Sequence, residues 1–296
     1  MLILRLMKRC QNSCLFCMVR DEMASCQDLS MEEIEKAILQ QDRGSVINFF
    51  GGEPTLYPRF TEALSCAKRH GCSSIVATNG RRFADKTFLE ETIVSGISHI
   101  RTSLYGGTPE VHDYHTDSVG SFIETVAGIR NIVEKGIDVL VNYVITALNF
   151  TEIESTADVI MALGVRHMKF SSLIKAMNCL EFVPSNRVVR PYLIKALEKC
   201  RINGLKMEIE KSPLCLASEY CQCCIIEPQD AELYARHEEC QACYVKTLCP
   251  GLPVEQLVMY SHEEGLVLPF AEGENGVDRL LGKQGPVPDD VLGLGV

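Results

Sequence analysis

Residues 1–175 alternate short apolar runs with helical patterns six times over, and this alternation limits the fold more than any other feature of the chain. The runs fall at 2–6, 46–50, 74–78, 98–104, 138–145 and 167–171. They are rich in Val, Ile and Phe, as strands buried on both faces should be. Helical signals fill the gaps. Ser30 with Glu33 forms a capping-box pattern that opens a helix over 31–41. Phe122, Val126, Ile129 and Val133 recur at helical spacing. Asn149 with Glu152 predicts another helix start, followed by Ile153, Ala157 and Ile160, with Gly164 at its C-terminal cap. Strands separated by helices pair in parallel through right-handed crossovers. A complete eight-stranded barrel takes about 250 residues. Six units in the shorter length predict an α/β fold, a partial (β/α)6 TIM-type barrel, with ligands at the C-terminal ends of its strands.

Beyond 180 the character changes. Residues 186–203 read as one more helix closed by Asn203-Gly204, and Lys206–Glu210 alternates as a strand. Residues 212–250 are rich in cysteine and poor in long periodic runs. Such a stretch buries little apolar surface by itself, so a metal is the natural staple. Residues 271–296 are rich in Gly, Pro and Asp and predict a loosely ordered tail with one helical turn near 277–282. The expected division is a barrel over 1–180, a helix plus a small Cys-rich C-terminal extension over 181–270, and the tail.

The formal net charge of −10 argues against non-specific nucleic-acid binding, which needs a basic footprint. No apolar run approaches the ~18 residues of a membrane span, and the N-terminal apolar stretch is too short for a signal-peptide core. The expectation is a cytoplasmic protein that does not enter a membrane. Fifteen cysteines, an odd number, then favour metal ligation over a disulfide framework. Three lie within 10–17 and seven within 215–249, while Cys26, Cys66, Cys72, Cys179 and Cys200 are scattered and read as small core residues or incidental thiols.

Cys10-x3-Cys14-x2-Cys17 directly follows the first strand. Three thiolates so close converge on one metal or cluster. A zinc site completed by a distant ligand is the alternative. With three ligands for four irons, one iron stays open, which separates a catalytic centre from a closed structural one. Phe16 is placed to shield such a cluster from water. After the second strand comes Gly51-Gly52-Glu53-Pro54, and Thr78-Asn79-Gly80 ends the third.

The cysteine spacing resembles the signature of the radical SAM superfamily, and Gly51–Pro54 resembles that superfamily's glycine-rich S-adenosylmethionine (SAM) motif. The resemblance covers about residues 1–175. It implies a [4Fe–4S] cluster on Cys10, Cys14 and Cys17 with SAM on the open iron. An electron from the reduced cluster would split the sulfonium bond, and the resulting 5′-deoxyadenosyl radical would take hydrogen from a substrate. Two glycines let backbone approach a ligand closely. The Glu53 carboxylate is expected to pair with the methionine ammonium, and Pro54 to fix the turn. Thr78 and Asn79 match the superfamily's Thr-Asn-Gly turn. Ser103, near the end of the fourth strand, and Asn142, in the fifth, match positions where related enzymes place polar residues near SAM; buried side chains serving only the sheet are the alternative.

Cys240-x2-Cys243-x5-Cys249 followed by Pro250-Gly251 resembles the cysteine run of SPASM and twitch-type extensions, which carry auxiliary [4Fe–4S] clusters. No cysteine follows Cys249, which favours one auxiliary cluster over two. Cys215 is the first choice for its fourth ligand, with Cys221, Cys223 and Cys224 as alternatives. A zinc site remains open, because thiolate ligation fits either. Tyr105–Pro109 reads as a substrate mouth or a plain turn. His112 and His115, at i and i+3, read as solvated or capping residues. Tyr114, Lys169 and Tyr260 are candidates for touching substrate that nothing in the sequence selects. The resemblance further implies an electron donor such as flavodoxin or ferredoxin. The substrate it implies is a peptide or protein first, and a nucleotide or small-molecule metabolite second. A non-catalytic iron–sulfur electron-transfer protein would account for both cysteine groups but not for Gly51–Pro54.

Overall fold

The structure, a computed structural model, describes residues 1–17, 19, 20, 27–176, 178–226, 231–274 and 277. Seven strands pair in chain order: β1 (Leu2–Arg5), β2 (Val46–Phe50), β3 (Ser73–Ala77), β4 (Ile97–Ser103), β5 (Asp138–Ile145), β6 (His167–Ser172) and β7 (Lys206–Glu210). The pairings from β1 to β5 are parallel. Between the strands run α1 (Met31–Leu39), α2 (Phe60–His70), α3 (Lys86–Ser95), α4 (Pro109–Thr116), α5 (Ser121–Glu134), α6 (Ile153–Ala162) and α7 (Asn186–Ile202). The sheet ends on β1 and β7, so it is the open, barrel-type arrangement expected, with Lys206–Glu210 as a seventh strand. The chain divides into two compact units, residues 1–142 with 158–167, and 143–157 with 168–296.

In the first unit, one row of side chains on each strand is buried against the helices. Ile47 and Phe49 of β2, Val76 of β3, Ile100 of β4 and Val141 of β5 are fully covered. Phe49 meets Phe60 of α2 edge-on at 6.2 Å, and Phe83 stacks on Phe88 of α3 at 5.7 Å. Each such side chain contributes about 1.5–3 kcal/mol by leaving water. The capping box of α1 is present, with Ser30 N–H donating to Glu33 at 2.8 Å and Glu33 N–H to Ser30 Oγ at 3.2 Å. Asn149 does not cap α6. Its side-chain oxygen accepts from Thr146 N–H at 2.8 Å, and a 3-10 turn over Phe150–Glu152 leads into the helix instead.

In the second unit, Lys169 of β6 forms a buried ion pair with Glu210 at the end of β7, Nζ to Oε2 at 2.9 Å. Lys195 and Lys199 of α7 both reach Glu154, at 2.8 and 2.9 Å. Two short strands, β8 (Tyr234–Ala235) and β9 (Leu252–Pro253), pair antiparallel, and α8 (Val254–Tyr260) follows. Cys66, Cys72 and Cys200 are buried core residues, and Cys179 is half-buried. Cys26 lies outside the described residues, as does the turn expected near 277–282 apart from Val277. Among the described residues, no helix is long and apolar enough to cross a membrane.

Gly128 ties α5 to the turn that follows β3. A Cβ at 128 would lie 2.2 Å from the carbonyl oxygen of Gly80, itself held at φ +80°. Gly128→Ala should therefore push the 79–81 turn aside and cost about 2 kcal/mol of stability, as overpacking typically does. Chemical denaturation checks this; an unchanged midpoint would mean that helix and turn are not in the contact described.

Candidate functional site

The glycine-rich turn after β2 is built against the chain's own backbone. Gly52 N–H donates to Met7 O at 2.8 Å and Glu53 N–H to Arg9 O at 2.9 Å. A Cβ on Gly51 would sit 2.5 Å from Met7 O, and one on Gly52 2.4 Å from Lys8 O. The glycines thus let the turn press on the segment entering Cys10. Pro54 opens a 3-10 turn over 54–56.

Glu53 is buried, and its carboxyl group accepts four hydrogen bonds, three on Oε1 and one on Oε2. Oε1 accepts from Thr55 N–H at 3.0 Å, Thr55 Oγ1 at 2.6 Å and Thr78 Oγ1 at 2.7 Å, while Oε2 accepts from Asn79 N–H at 2.7 Å. Burial raises its pKa, and these donors pull the other way. The carboxyl group therefore splices the end of β2 to the end of β3.

From β3 the network reaches the cysteine loop. Asn79 Nδ2 lies 3.8 Å from Cys10 Sγ, and Gln11 Nε2 donates to Asn79 Oδ1 at 3.3 Å. Arg81, two residues on, donates to Asn12 Oδ1 at 2.6 Å and Ser118 Oγ at 2.8 Å, and pairs with Glu124 at 2.5 Å. Nothing in the sequence singled out Arg81; its only signal is its place directly after Thr78-Asn79-Gly80. On the other side, Ser13 N–H donates to Thr116 O at 2.9 Å and Leu15 N–H to His115 O at 3.0 Å.

The three thiols lie on this braced loop within electrostatic reach of one another. Burial pushes Cys14 up to about 12, with Cys17 and Cys10 adding to it, and burial also raises Cys10. Asn12 N–H donates to Cys10 Sγ at 3.4 Å. Among the described residues no three His, Cys, Asp or Glu side chains are grouped for a single metal ion. Metal uptake must displace the thiol protons, so loading is proton-coupled.

Phe16 is buried, with its ring edge-on to Tyr105 at 5.2 Å and to His115 at 5.8 Å. The Tyr105 hydroxyl is hydrogen-bonded to Ser103 and lies near the three cysteines; burial raises its pKa. Ser103 and Asn142 are register partners on β4 and β5, so these two candidates share one face of the sheet.

The histidines differ from expectation. His112 and His115 are buried rather than solvated, because α4 turns both toward Tyr105, which stacks at 5.5 and 6.1 Å. Tyr105 N–H donates to His112 Nδ1 at 3.1 Å, which leaves the proton on Nε2.

In the second unit, Cys215, Cys240, Cys243 and Cys249 line one pocket, together with Arg236, Val267 and Phe270. Leu214 N–H donates to Cys249 Sγ at 3.4 Å. Burial pushes Cys215 up to about 11, with the Cys249 and Cys240 thiols contributing. Cys224 is raised by burial and by Cys221, Cys223, Cys249 and Cys215. Arg190 of α7 donates to Cys215 O at 3.3 Å and to Gly265 O and Leu266 O at 3.1 Å each. Lys169 belongs to the Glu210 pair, Tyr260 donates to Val183 O at 2.8 Å, and Tyr114 is exposed.

Comparison with known proteins gives this geometry a context. The sequence profile of the Radical SAM superfamily matches residues 4–160. An Fe-coproporphyrin III synthase from Methanosarcina barkeri is 27% identical over 172 residues, 57% of this chain and 43% of the relative. A mycofactocin maturase, MftC, from Mycobacterium ulcerans is 28% identical over 151 residues, 50% of this chain and 40% of the relative. The match thus spans under half the length of either. Among solved structures, anSMEcpe with bound AdoMet and the Kp18Cys peptide superposes with a TM-score of 0.61 at 14% identity, over 71% of this chain and 62% of that one.

Burial pushes His112 down to about 4 from its ordinary 6.5. The folded chain then takes up this proton less readily than the unfolded chain, so the contribution is complete at neutral pH and is lost as pH falls through that window. Between about pH 7 and pH 5 the wild type should lose about 2 kcal/mol more than His112→Asn. Urea unfolding at both pH values measures this, and equal losses would contradict a buried neutral imidazole.

Proposed function

The chain belongs to the radical SAM superfamily, and from that premise we propose an enzyme that reductively cleaves SAM and abstracts hydrogen from a peptide or protein in order to modify it. One observation carries the reading. Three thiols share a loop that is hydrogen-bonded to a Gly-Gly-Glu-Pro turn, Asn79 and Arg81 on one side and to α4 on the other.

These residues fit a [4Fe–4S] cluster with one iron left for SAM. When bound, the cluster supplies the electron for SAM cleavage. The chain's own groups do the rest. Donors from Asn12 and Asn79 approach Cys10 Sγ, and Phe16 with Tyr105 covers the loop with apolar surface. Of the residues proposed to meet SAM, Gly51 to Pro54, Thr78 and Asn79 form the braced turn, while Ser103 and Asn142 form a polar pair on β4 and β5. Glu53 already accepts four hydrogen bonds, so its contribution to SAM comes chiefly through the shape of that turn.

Peptide substrates are favoured by the likeness to a PqqA peptide cyclase from Ruegeria pomeroyi, 28% identical over 123 residues. A small-molecule substrate is the second reading, favoured by the likeness to the Fe-coproporphyrin III synthase. We further propose one auxiliary [4Fe–4S] cluster on Cys215, Cys240, Cys243 and Cys249, which share a pocket. Cys221, Cys223 and Cys224 are the alternatives to Cys215, and zinc the alternative metal. Clusters and reduced thiols suit the cytoplasm, where flavodoxin or ferredoxin would supply the electron.

Anaerobic reconstitution should give about eight irons per chain, and about four in Cys10, Cys14 and Cys17→Ala, which should release no 5′-deoxyadenosine. Replacing Cys240, Cys243 and Cys249 should also leave about four irons, with SAM cleavage retained. Continued 5′-deoxyadenosine release by the first variant overturns the main reading; four irons and one zinc in the wild type overturn the auxiliary one.

A further inference from the structure

Asn79 closes the turn after β3, and each polar atom it carries has a partner. Its N–H donates to Glu53 Oε2 at 2.7 Å, and its carbonyl oxygen accepts from Thr125 Oγ1 of α5 at 3.1 Å. Its side-chain oxygen accepts from Arg81 N–H at 3.1 Å, an Asx turn, and from Gln11 Nε2 at 3.3 Å. The orientation of the amide follows from these two donors. Turned over, it would set N–H₂ against both of them. Nδ2 is thereby left facing Cys10 Sγ at 3.8 Å. A second donor, Asn12 N–H, reaches the same sulfur at 3.4 Å.

The turn by itself does not call for an amide. Gly80 at φ +80°, with its N–H on Thr78 Oγ1 at 3.0 Å, already bends the chain. An aspartate closes an Asx turn as well as an asparagine does. It would offer the same oxygen to Arg81 and Gln11, but a second oxygen in place of Nδ2. The difference between the two residues is therefore felt at Cys10, where asparagine supplies a donor and aspartate a negative charge. Arg81 holds the sulfur's side of the contact as well, through Asn12 Oδ1 at 2.6 Å and Gln11 O at 3.5 Å.

Resting on the reading of Cys10, Cys14 and Cys17 as ligands of a [4Fe–4S] cluster, we propose that Asn79 sets how readily that cluster accepts an electron, by donating Nδ2–H to the Cys10 thiolate. Asn79 is then a positioning residue that acts through a ligand, beyond any contact it makes with SAM. The couple gains one electron, and no bond forms or breaks. Reduction adds negative charge that the ligand sulfurs share, so a donor to sulfur favours the reduced form. Donors to a charged acceptor are the stronger ones. Cys10 receives two, and of these only the one from Asn79 comes from a side chain, so only that one can be removed by substitution.

The test is a redox titration of the reconstituted full chain without SAM. It follows the paramagnetic signal of the reduced cluster that is missing when Cys10, Cys14 and Cys17 are replaced by Ala. Asn79→Leu keeps the side chain's size, adds no charge and removes the donor. At a fixed poise its ratio of reduced to oxidised cluster should fall about tenfold, a midpoint about 59 mV lower for one electron. Thr125→Val removes a bond to the same residue that does not involve the sulfur, and should leave the midpoint unchanged. An unchanged midpoint in Asn79→Leu overturns the proposal, as does an equal shift in Thr125→Val or a loss of SAM affinity alone. Should Asn79→Leu load no iron, the wild type decides, prepared with asparagine isotope-labelled at its side-chain nitrogen. Coupling of that nitrogen to the reduced cluster in pulsed EPR supports the bond, and its absence overturns it. A wild type whose cluster is reduced but cleaves no SAM overturns the parent reading and leaves the midpoints to decide this one. A wild type that loads no cluster on the three cysteines overturns both.

Discussion

A single buried carboxyl group organises the first unit's site. Glu53 accepts from Thr55, Thr78 and Asn79, and so joins the ends of β2 and β3 at the level where the chain leaves both strands. Everything that braces the cysteine loop from that side depends on this junction. Asn79 reaches Cys10 and Gln11, Arg81 reaches Asn12, and the Gly51-Gly52 backbone lies directly on Met7 and Lys8. A buried carboxyl group left with fewer donors would be costly, so the four partners stabilise the turn and keep it unique. The loop's other flank is held by α4 through Thr116 O and His115 O. Three cysteines on eight residues are thus presented by a loop fixed from both sides.

The parallel strands were legible because both-face burial leaves near-continuous Val, Ile and Phe runs, and β2 and β5 begin and end where the composition says. The capping box of α1 was legible because its two side chains and two backbone amides are local. Features that depend on distant partners were not. Asn149 has the right identity for a cap, but Thr146 N–H competes for the same oxygen. His112 and His115 have the spacing of a solvated pair, yet Tyr105 and Phe16, brought in by the fold, bury them. Arg81 is one arginine among many until Asn12, Ser118 and Glu124 converge on it. The two glycines also press on backbone carbonyls of the chain itself, a contact that no spacing in the sequence announces.

In the second unit the sequence offered a run of three cysteines and four upstream alternatives. Spacing cannot choose among the four, since the deciding quantity is how the 3-10 turns after β7 fold back. Leu214 N–H on Cys249 Sγ, and Arg190 gripping Cys215 O beside Gly265 and Leu266, bring Cys215 to the pocket of the downstream three. Leu214, Val245, Leu252 and Phe270 pack with these thiols, so the small extension is part apolar core and part thiol cluster. That combination suits a segment too short to fold on apolar burial alone.

The claim that Glu53 is first a structural tie is tested most directly by Glu53→Gln in the protein without cluster or SAM. The amide must set an N–H₂ against either Asn79 N–H or the three donors on Oε1. Urea denaturation of the unloaded protein should then show a loss of about 2 kcal/mol. Unchanged stability of the unloaded variant, with SAM affinity alone reduced after reconstitution, would contradict the account and make Glu53 a ligand contact instead.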